Sequence, residues 1–140
     1  MDRNKALCVS YRAIEWDAAA KSHLGLIAGE TDAGLAHYEA AINNGEMSLM
    51  AVDFEGQRVG SLSYMLDHDL CGKVLFVTGM GAHPVEGVSL AQDACARFLP
   101  ELAKEKDCAA IRFWTRREGF VKALEQEGYA PIYVMEKAVV

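Results

Sequence analysis

The pattern of apolar and polar positions changes period repeatedly along this chain, and each change marks an element. Residues 6–12 alternate loosely, with Val9 and Tyr11 as members of a first strand. Trp16, Ala19, Ala20, His23, Leu24 and Ile27 then recur at helical spacing, which predicts a helix over 13–28 that Gly29 stops. Thr31 or Asp32 caps a second helix, in which Leu35, Tyr38 and Ile42 share a face before Asn43-Asn44-Gly45 ends it. From Glu46 the period becomes two: Met50, Val52 and Phe54 fall on one side, and Leu49 and Ala51 on the other. Glu55-Gly56 marks a turn and 57–66 resumes as a strand, so this pair reads as an antiparallel hairpin. Asp67-His68-Asp69 reads as the next turn, and 73–79 as a third consecutive strand, apolar enough to be buried on both faces.

A long helical pattern follows in Leu90, Ala91, Ala94, Cys95, Phe98, Leu99 and Leu102. Pro100 sits inside it. A proline there removes one backbone hydrogen bond and clashes with the carbonyl four residues back, which predicts a kink or a break near 96–99. Residues 109–115 form a strand, 118–127 a helix built on Phe120, Val121 and Leu124 and stopped by Gly128, and 129–139 a last strand. The order is β-α-α-β-β-β-α-β-α-β. Three antiparallel strands followed by a β-α-β crossover make an α/β fold, a mixed sheet with helices on both faces. Trp16, Leu24, Tyr38, Val52, Leu62, Phe76, Phe98, Ile111 and Leu124 are the expected core.

Composition narrows the classes. With 140 residues, 51% of them hydrophobic, the chain suits one domain over 1–140. Twenty acidic against fourteen basic side chains give a net charge of −6, which works against nucleic acid or an anionic membrane as partner. No apolar run approaches the roughly 20 residues that span a bilayer, and no signal-type apolar core follows the N-terminus, so a cytoplasmic location is expected. Cys8, Cys71, Cys95 and Cys108 stand singly in or beside apolar segments and read as buried reduced thiols.

The stretch over 73–106 carries the candidate chemistry. A strand opens into Gly79-Met80-Gly81-Ala82-His83-Pro84-Val85-Glu86-Gly87 and then a helix, an arrangement in which free N–H groups and the helix dipole converge on an anion. Gly79-x-Gly81 is not a dinucleotide fingerprint, because Pro84 replaces its third glycine and the strand follows a meander. Asp67-His68-Asp69 with Cys71 has metal-capable side chains, but an Asp-rich turn is the commoner reading and no metal is expected. Arg112, Arg116, Arg117 and Lys122 gather positive charge that suits a phosphate or an acidic partner, or a solvated face balanced by Glu118 and Glu125.

This element order, with a glycine loop between the fourth strand and the third helix, resembles the GCN5-related N-acetyltransferases over essentially the whole chain. The stretches 107–113 and 116–120 are also similar to small acetyltransferase-like proteins of bacterial viruses. The resemblance implies acetyl-CoA as acyl donor, its pantetheine arm lying between the fourth and fifth strands. It implies a pyrophosphate on a Gln/Arg-x-x-Gly-x-Gly/Ala loop, which falls on Pro84-Val85-Glu86-Gly87-Val88-Ser89. Gly87 matches, Ser89 stands for the second small residue, Pro84 replaces the first position and Glu86 adds negative charge. The implied cofactor-binding residues are Val77, Thr78, Gly79, Gly87, Val88, Ser89 and Leu90, with backbone groups of 77–79 polarising the thioester carbonyl.

The family's acid is a tyrosine four residues before a Gly-Phe pair. Gly128-Tyr129 takes the place of that pair here and Leu124 the place of the tyrosine, which leaves Tyr129, Tyr133, Cys95 and Ser89 as nearby protic residues. The family's base is a carboxylate on the fourth strand or a water chain. From Val74 to Gly81 this strand carries no acid and only Thr78 as a polar residue, so His83 is the candidate, with Asp67, His68 and Asp69 also near the strand ends. The implied activity is acetyl transfer to a primary amine on a small molecule or peptide, in a monomer or a homodimer. The alternative is a catalytically degenerate member that binds a protein through the vacated groove or the face of Arg112, Arg116 and Arg117.

Overall fold

A computed structural model describes residues 8–70, 72–115 and 118–139. In chain order it contains β1 (Val9–Ile14), α1 (Ala18–Leu24), α2 (Asp32–Asn43), β2 (Ser48–Phe54), β3 (Gln57–Asp69) and β4 (Gly72–Ala82). There follow α3 (Leu90–Asp93), a π-helical turn (Ala94–Phe98), α4 (Leu99–Glu105), β5 (Ala110–Phe113) and α5 (Glu118–Gln126). The sheet runs β1-β2-β3-β4-β5, antiparallel throughout except for the parallel β4–β5 pair.

The hairpin of β2 and β3 closes through Glu55 (φ 51°) and Gly56 (φ 80°), two left-handed residues whose twist matches the strands on either side. Alternation then divides the sheet into two faces. Met50, Val52, Leu62, Tyr64, Leu75 and Val77 face a core closed by Leu90, Ala94, Leu99, Leu102 and Leu124 of the later helices. The opposite face receives α1, which packs on β3 and β4. Leu24, Val52, Leu62 and Leu124 are buried as expected, whereas Trp16, Tyr38, Phe76, Phe98 and Ile111 are only partly so.

Several expected boundaries are corrected. The first helix is shorter than its spacing predicts, because the Asp17 carboxylate accepts the Ala20 amide at 2.8 Å and starts it there. Of the two expected caps of α2 it is Thr31 that serves, through a bond from the Gly34 amide, as expected. Asp67, His68 and Asp69 are not a turn: they lie in β3 opposite Val74, Lys73 and Gly72, on a solvent-exposed ribbon where polar side chains cost little. The last strand over 129–139 does not form. Pro131 lacks an N–H for a ladder and β5 offers only four residues to pair with, so the segment has no regular structure, with Tyr133 and Met135 more than 90% exposed. Cys95 is buried, but Cys8 is exposed and Cys108 half-buried, so the reading of every cysteine as buried fails at these two. Cys71, Arg116 and Arg117 lie outside the described residues.

The expected kink at Pro100 takes the form of the π turn. Leu99 N–H bonds the Ala94 carbonyl, five residues back, instead of the Cys95 carbonyl. The next N–H in that pattern would come from residue 100, a proline, so Cys95 O has no helical donor. Tyr129 supplies one: its hydroxyl donates to Cys95 O at 3.0 Å. Tyr129→Phe is therefore expected to leave a half-buried carbonyl without its donor and to lower stability by about 1 kcal/mol, read as a denaturation midpoint shift. The turn is also tied to β1. Tyr11 stacks on Phe98, and its hydroxyl donates to the buried Asp93 carboxylate at 2.6 Å. Arg97 forks onto the same carboxylate and onto the Val9 carbonyl.

Candidate active site

The strands that should hold a ligand separate. β4 and β5 pair only from Val74 with Ala110 to Val77 with Phe113, although β4 continues to Ala82. The divergence begins at a bulge: Tyr64 pairs with Val77 and Ser63 with Gly79, which leaves Thr78 as the extra residue. The bulge is pinned from the α2 side, where the Tyr38 hydroxyl donates to the Thr78 carbonyl at 2.7 Å and Thr78 Oγ1 lies 2.7 Å from Ser63 Oγ.

The gap opens a cleft of about 420 Å³. Ile27 and Tyr38 line it from the α1–α2 side, Leu90, Ala94 and Cys95 from the opposite helical layer, and Phe113 and Trp114 from the end of β5. It therefore passes through the sheet and joins the two layers. Val77, Thr78, Gly79, Val88, Ser89, Leu90 and His83 all line it, so the structure brings most of the expected site residues to one place. Gly87, Tyr129 and Tyr133 are not in its wall. Gly87 has φ 75° in a turn where Val85 and Val88 bridge, so the turn itself demands glycine. The Val88 N–H donates to the Val85 carbonyl at 3.2 Å and is spent there. Ser89 caps the helix by accepting the Gln92 amide. The N–H groups of Leu90 and Ala91 begin the helix, where no carbonyl a turn behind can take them.

An aminoglycoside N-acetyltransferase in complex with CoA matches this layout with a TM-score of 0.67, at 18% identity and over 94% of each chain. The chain has the fold of the GCN5-related N-acetyltransferases. An acetyltransferase of Trypanosoma brucei shares that fold at 19% identity and TM-score 0.64, over 94% of this chain and 99% of its own. A predicted acetyltransferase of Clostridium acetobutylicum with acetyl-CoA does so at 13% identity and TM-score 0.63, over 94% and 96% of the two chains. No protein-family model matches the sequence, and no curated protein matches it either. None of these three structures is described as viral, so the likeness to proteins of bacterial viruses gains no support from them.

Leu124, at the position where the resemblance implies the acid, is buried in the core. Tyr129 cannot replace it: burial first, then the charges of Cys95 and Glu127, push its hydroxyl pKa up, and the hydroxyl is already committed to Cys95 O. The Cys95 thiol does line the cleft, but burial first and Glu127 second push it up to about 12. Such a thiol is a weaker acid than an ordinary thiol of pKa about 8.5 and would not protonate a departing one. Arg112 pairs with Asp69 at 2.7 Å, so its charge is used in the sheet.

The residue that sequence reasoning missed is His23, counted there only as part of an apolar helix face. It is 4% exposed, and its Nδ1 lies 2.8 Å from Ser61 Oγ. Arg58 donates to the same Oγ at 2.9 Å and pairs with Asp17. The ring stands edge-on to that of His83, centroids 5.3 Å apart. Burial, followed by the charges of Arg58 and His83, lowers the His23 pKa, against a smaller opposing effect of Asp17.

The sign follows from that shift. The unfolded chain binds the His23 proton below its ordinary value of 6.5 and the folded protein does not, so stability is complete above that pH and falls as pH drops below it. His23→Asn keeps an acceptor for Ser61 without the titration. Melting temperatures from pH 7.5 to 5 are expected to fall less steeply in that variant than in the parent.

Proposed function

We propose that this protein transfers an acetyl group from acetyl-CoA to a primary amine. The observation that carries the reading is the cleft through the β4–β5 gap, which offers a thioester arm one helical layer and an amine the other. In the reaction a C–N bond forms, the C–S bond breaks, and the amine loses a proton. His83, exposed at the lip of the cleft, is the base we assign to that proton, because imidazole is the side chain suited to proton transfer near neutral pH. The edge of β4 beyond Val77 has no β5 partner, and its backbone N–H groups are the donors we assign to polarise the thioester carbonyl. The thiol of CoA leaves as thiolate, since a leaving group of pKa about 8.5 needs no strong acid.

The residues at the pyrophosphate end fit less well than those along the arm. Leu90 and Ala91 offer N–H groups, but Val88 has spent its own, Pro84 has none, and Glu86 adds a repelling carboxylate in the same turn. That mismatch supports the second reading, a degenerate member of the fold acting as a binding module. Incubation with acetyl-CoA and a panel of primary amines separates the two. Amine-dependent release of free thiol is expected from the enzyme, and release no faster than without protein would favour the module.

A further inference from the structure

The walls of the cleft are chemically one-sided. Among the described residues that line it none is Asp, Glu, Lys or Arg, and His83, Tyr38 and Cys95 are its ionisable groups. Tyr38 has its hydroxyl on Thr78 O, and the Cys95 thiol is held neutral by burial, which leaves His83 beside the hydroxyls of Thr78, Ser89 and Thr115 as the polar side chains of the wall. At the α1–α2 end Ile27 and Tyr38 both abut β4 at Gly79. A Cβ on that glycine would sit 2.6 Å from the Tyr38 hydroxyl and 3.3 Å from Ile27 Cδ1. At the β5 end Trp114 lines the cleft while 66% exposed, beside Phe113, which packs edge-to-face with Phe120 at 5.5 Å.

Among the described carboxylates, Glu86 stands in the turn between Val85 and Val88, while two others are engaged. Asp17 pairs with Arg58 and caps α1, and Glu30 accepts the amide of Thr31 at 3.0 Å. An acceptor with several ammonium groups would bring charges against described lining residues that include no carboxylate, and an unpaired charge in an apolar site is costly. A single amine on an apolar body meets the opposite conditions: its ring or chain gains contact with Ile27, Tyr38 and Trp114, and its one nitrogen reaches His83.

We propose that the acceptor is a primary monoamine carried on an aromatic or similarly apolar body, seated between Ile27 and Tyr38 on one side and Trp114 on the other. This rests on the acetyltransferase reading above and narrows it. Polyamines, amino sugars with several ammonium groups and basic peptides are excluded as preferred acceptors.

The probes are phenethylamine and spermidine, each titrated calorimetrically into the full-length protein, with and without CoA. Phenethylamine is expected to bind at least about tenfold more tightly than spermidine, and Trp114→Ala, an exposed position that the fold tolerates, to abolish that preference. Equal or tighter binding of spermidine would overturn the proposal. So would absence of binding by either amine, or a phenethylamine affinity unchanged by Trp114→Ala. Acetyl-CoA is titrated separately: its failure to bind would remove the acetyltransferase reading, while the amine preference would still be read from the first titrations.

Discussion

Replacing Gly81 by valine is expected to destabilise the protein by more than about 3 kcal/mol, a large part of the roughly 5–15 kcal/mol that holds a small domain together. Gly81 is buried in β4 on the face covered by α1, and a Cβ built there collides with the backbone carbonyl of His23 and crowds the Leu24 amide. The obstacle is backbone. It cannot swing away as a side chain would, so α1 must lift from the sheet and take Leu24, which is fully buried, with it. Gly81→Ala should show a smaller version of the same loss. Urea unfolding measures both, and a valine variant within about 0.5 kcal/mol of the parent would show that α1 does not sit on β4 as described.

Replacing His83 by alanine is expected to lower kcat by about 10²–10⁴-fold, the usual contribution of a positioned general base. Stability and the affinity for CoA should hardly change, because the His83 side chain is exposed and outside the core. That combination separates a role in the reaction from a role in folding. The proton must otherwise leave through solvent, so the residual rate of His83→Ala should rise with pH as more amine is already neutral. A variant with parental kcat at neutral pH would remove His83 from the mechanism and leave the cleft without a base among its described lining residues.

Local rules were legible in the sequence wherever the physics was local. The Glu55-Gly56 hairpin, the Thr31 cap and the disturbance before Pro100 each depend on a few neighbouring residues, and each stands where the spacing put it. The last strand depends on a partner elsewhere in the sheet. Alternation over 129–139 could not reveal that β5 would be four residues long or that Pro131 would interrupt the ladder. Tyr129 is a similar case: its partner carbonyl is 34 residues away and exists only because Pro100 breaks the helical pattern there.

The site divides along the same line. Val77, Thr78 and Gly79 came from the family resemblance rather than from spacing, and His83 from the chemistry of the loop; all four line the cleft. His23 was invisible because a histidine at helical spacing reads as part of the apolar face, and its partner Ser61 lies 38 residues on. Ser61 and Ser63, small polar residues alternating within an apolar strand, are the signal that could have exposed it. Gly79-x-Gly81 carried another such signal. Glycines two apart within a strand mark the close approach of another element on one face, and here α2 and α1 approach at those two positions.

Calorimetric titration of the unmodified protein with CoA at low ionic strength tests the central claim most directly, that the cleft between β4 and β5 accepts the thioester arm. The account predicts a single site of micromolar affinity, tightened a few-fold by Glu86→Gln as the opposing carboxylate is removed. No heat at millimolar CoA, in either the parent or the Glu86→Gln protein, would contradict it.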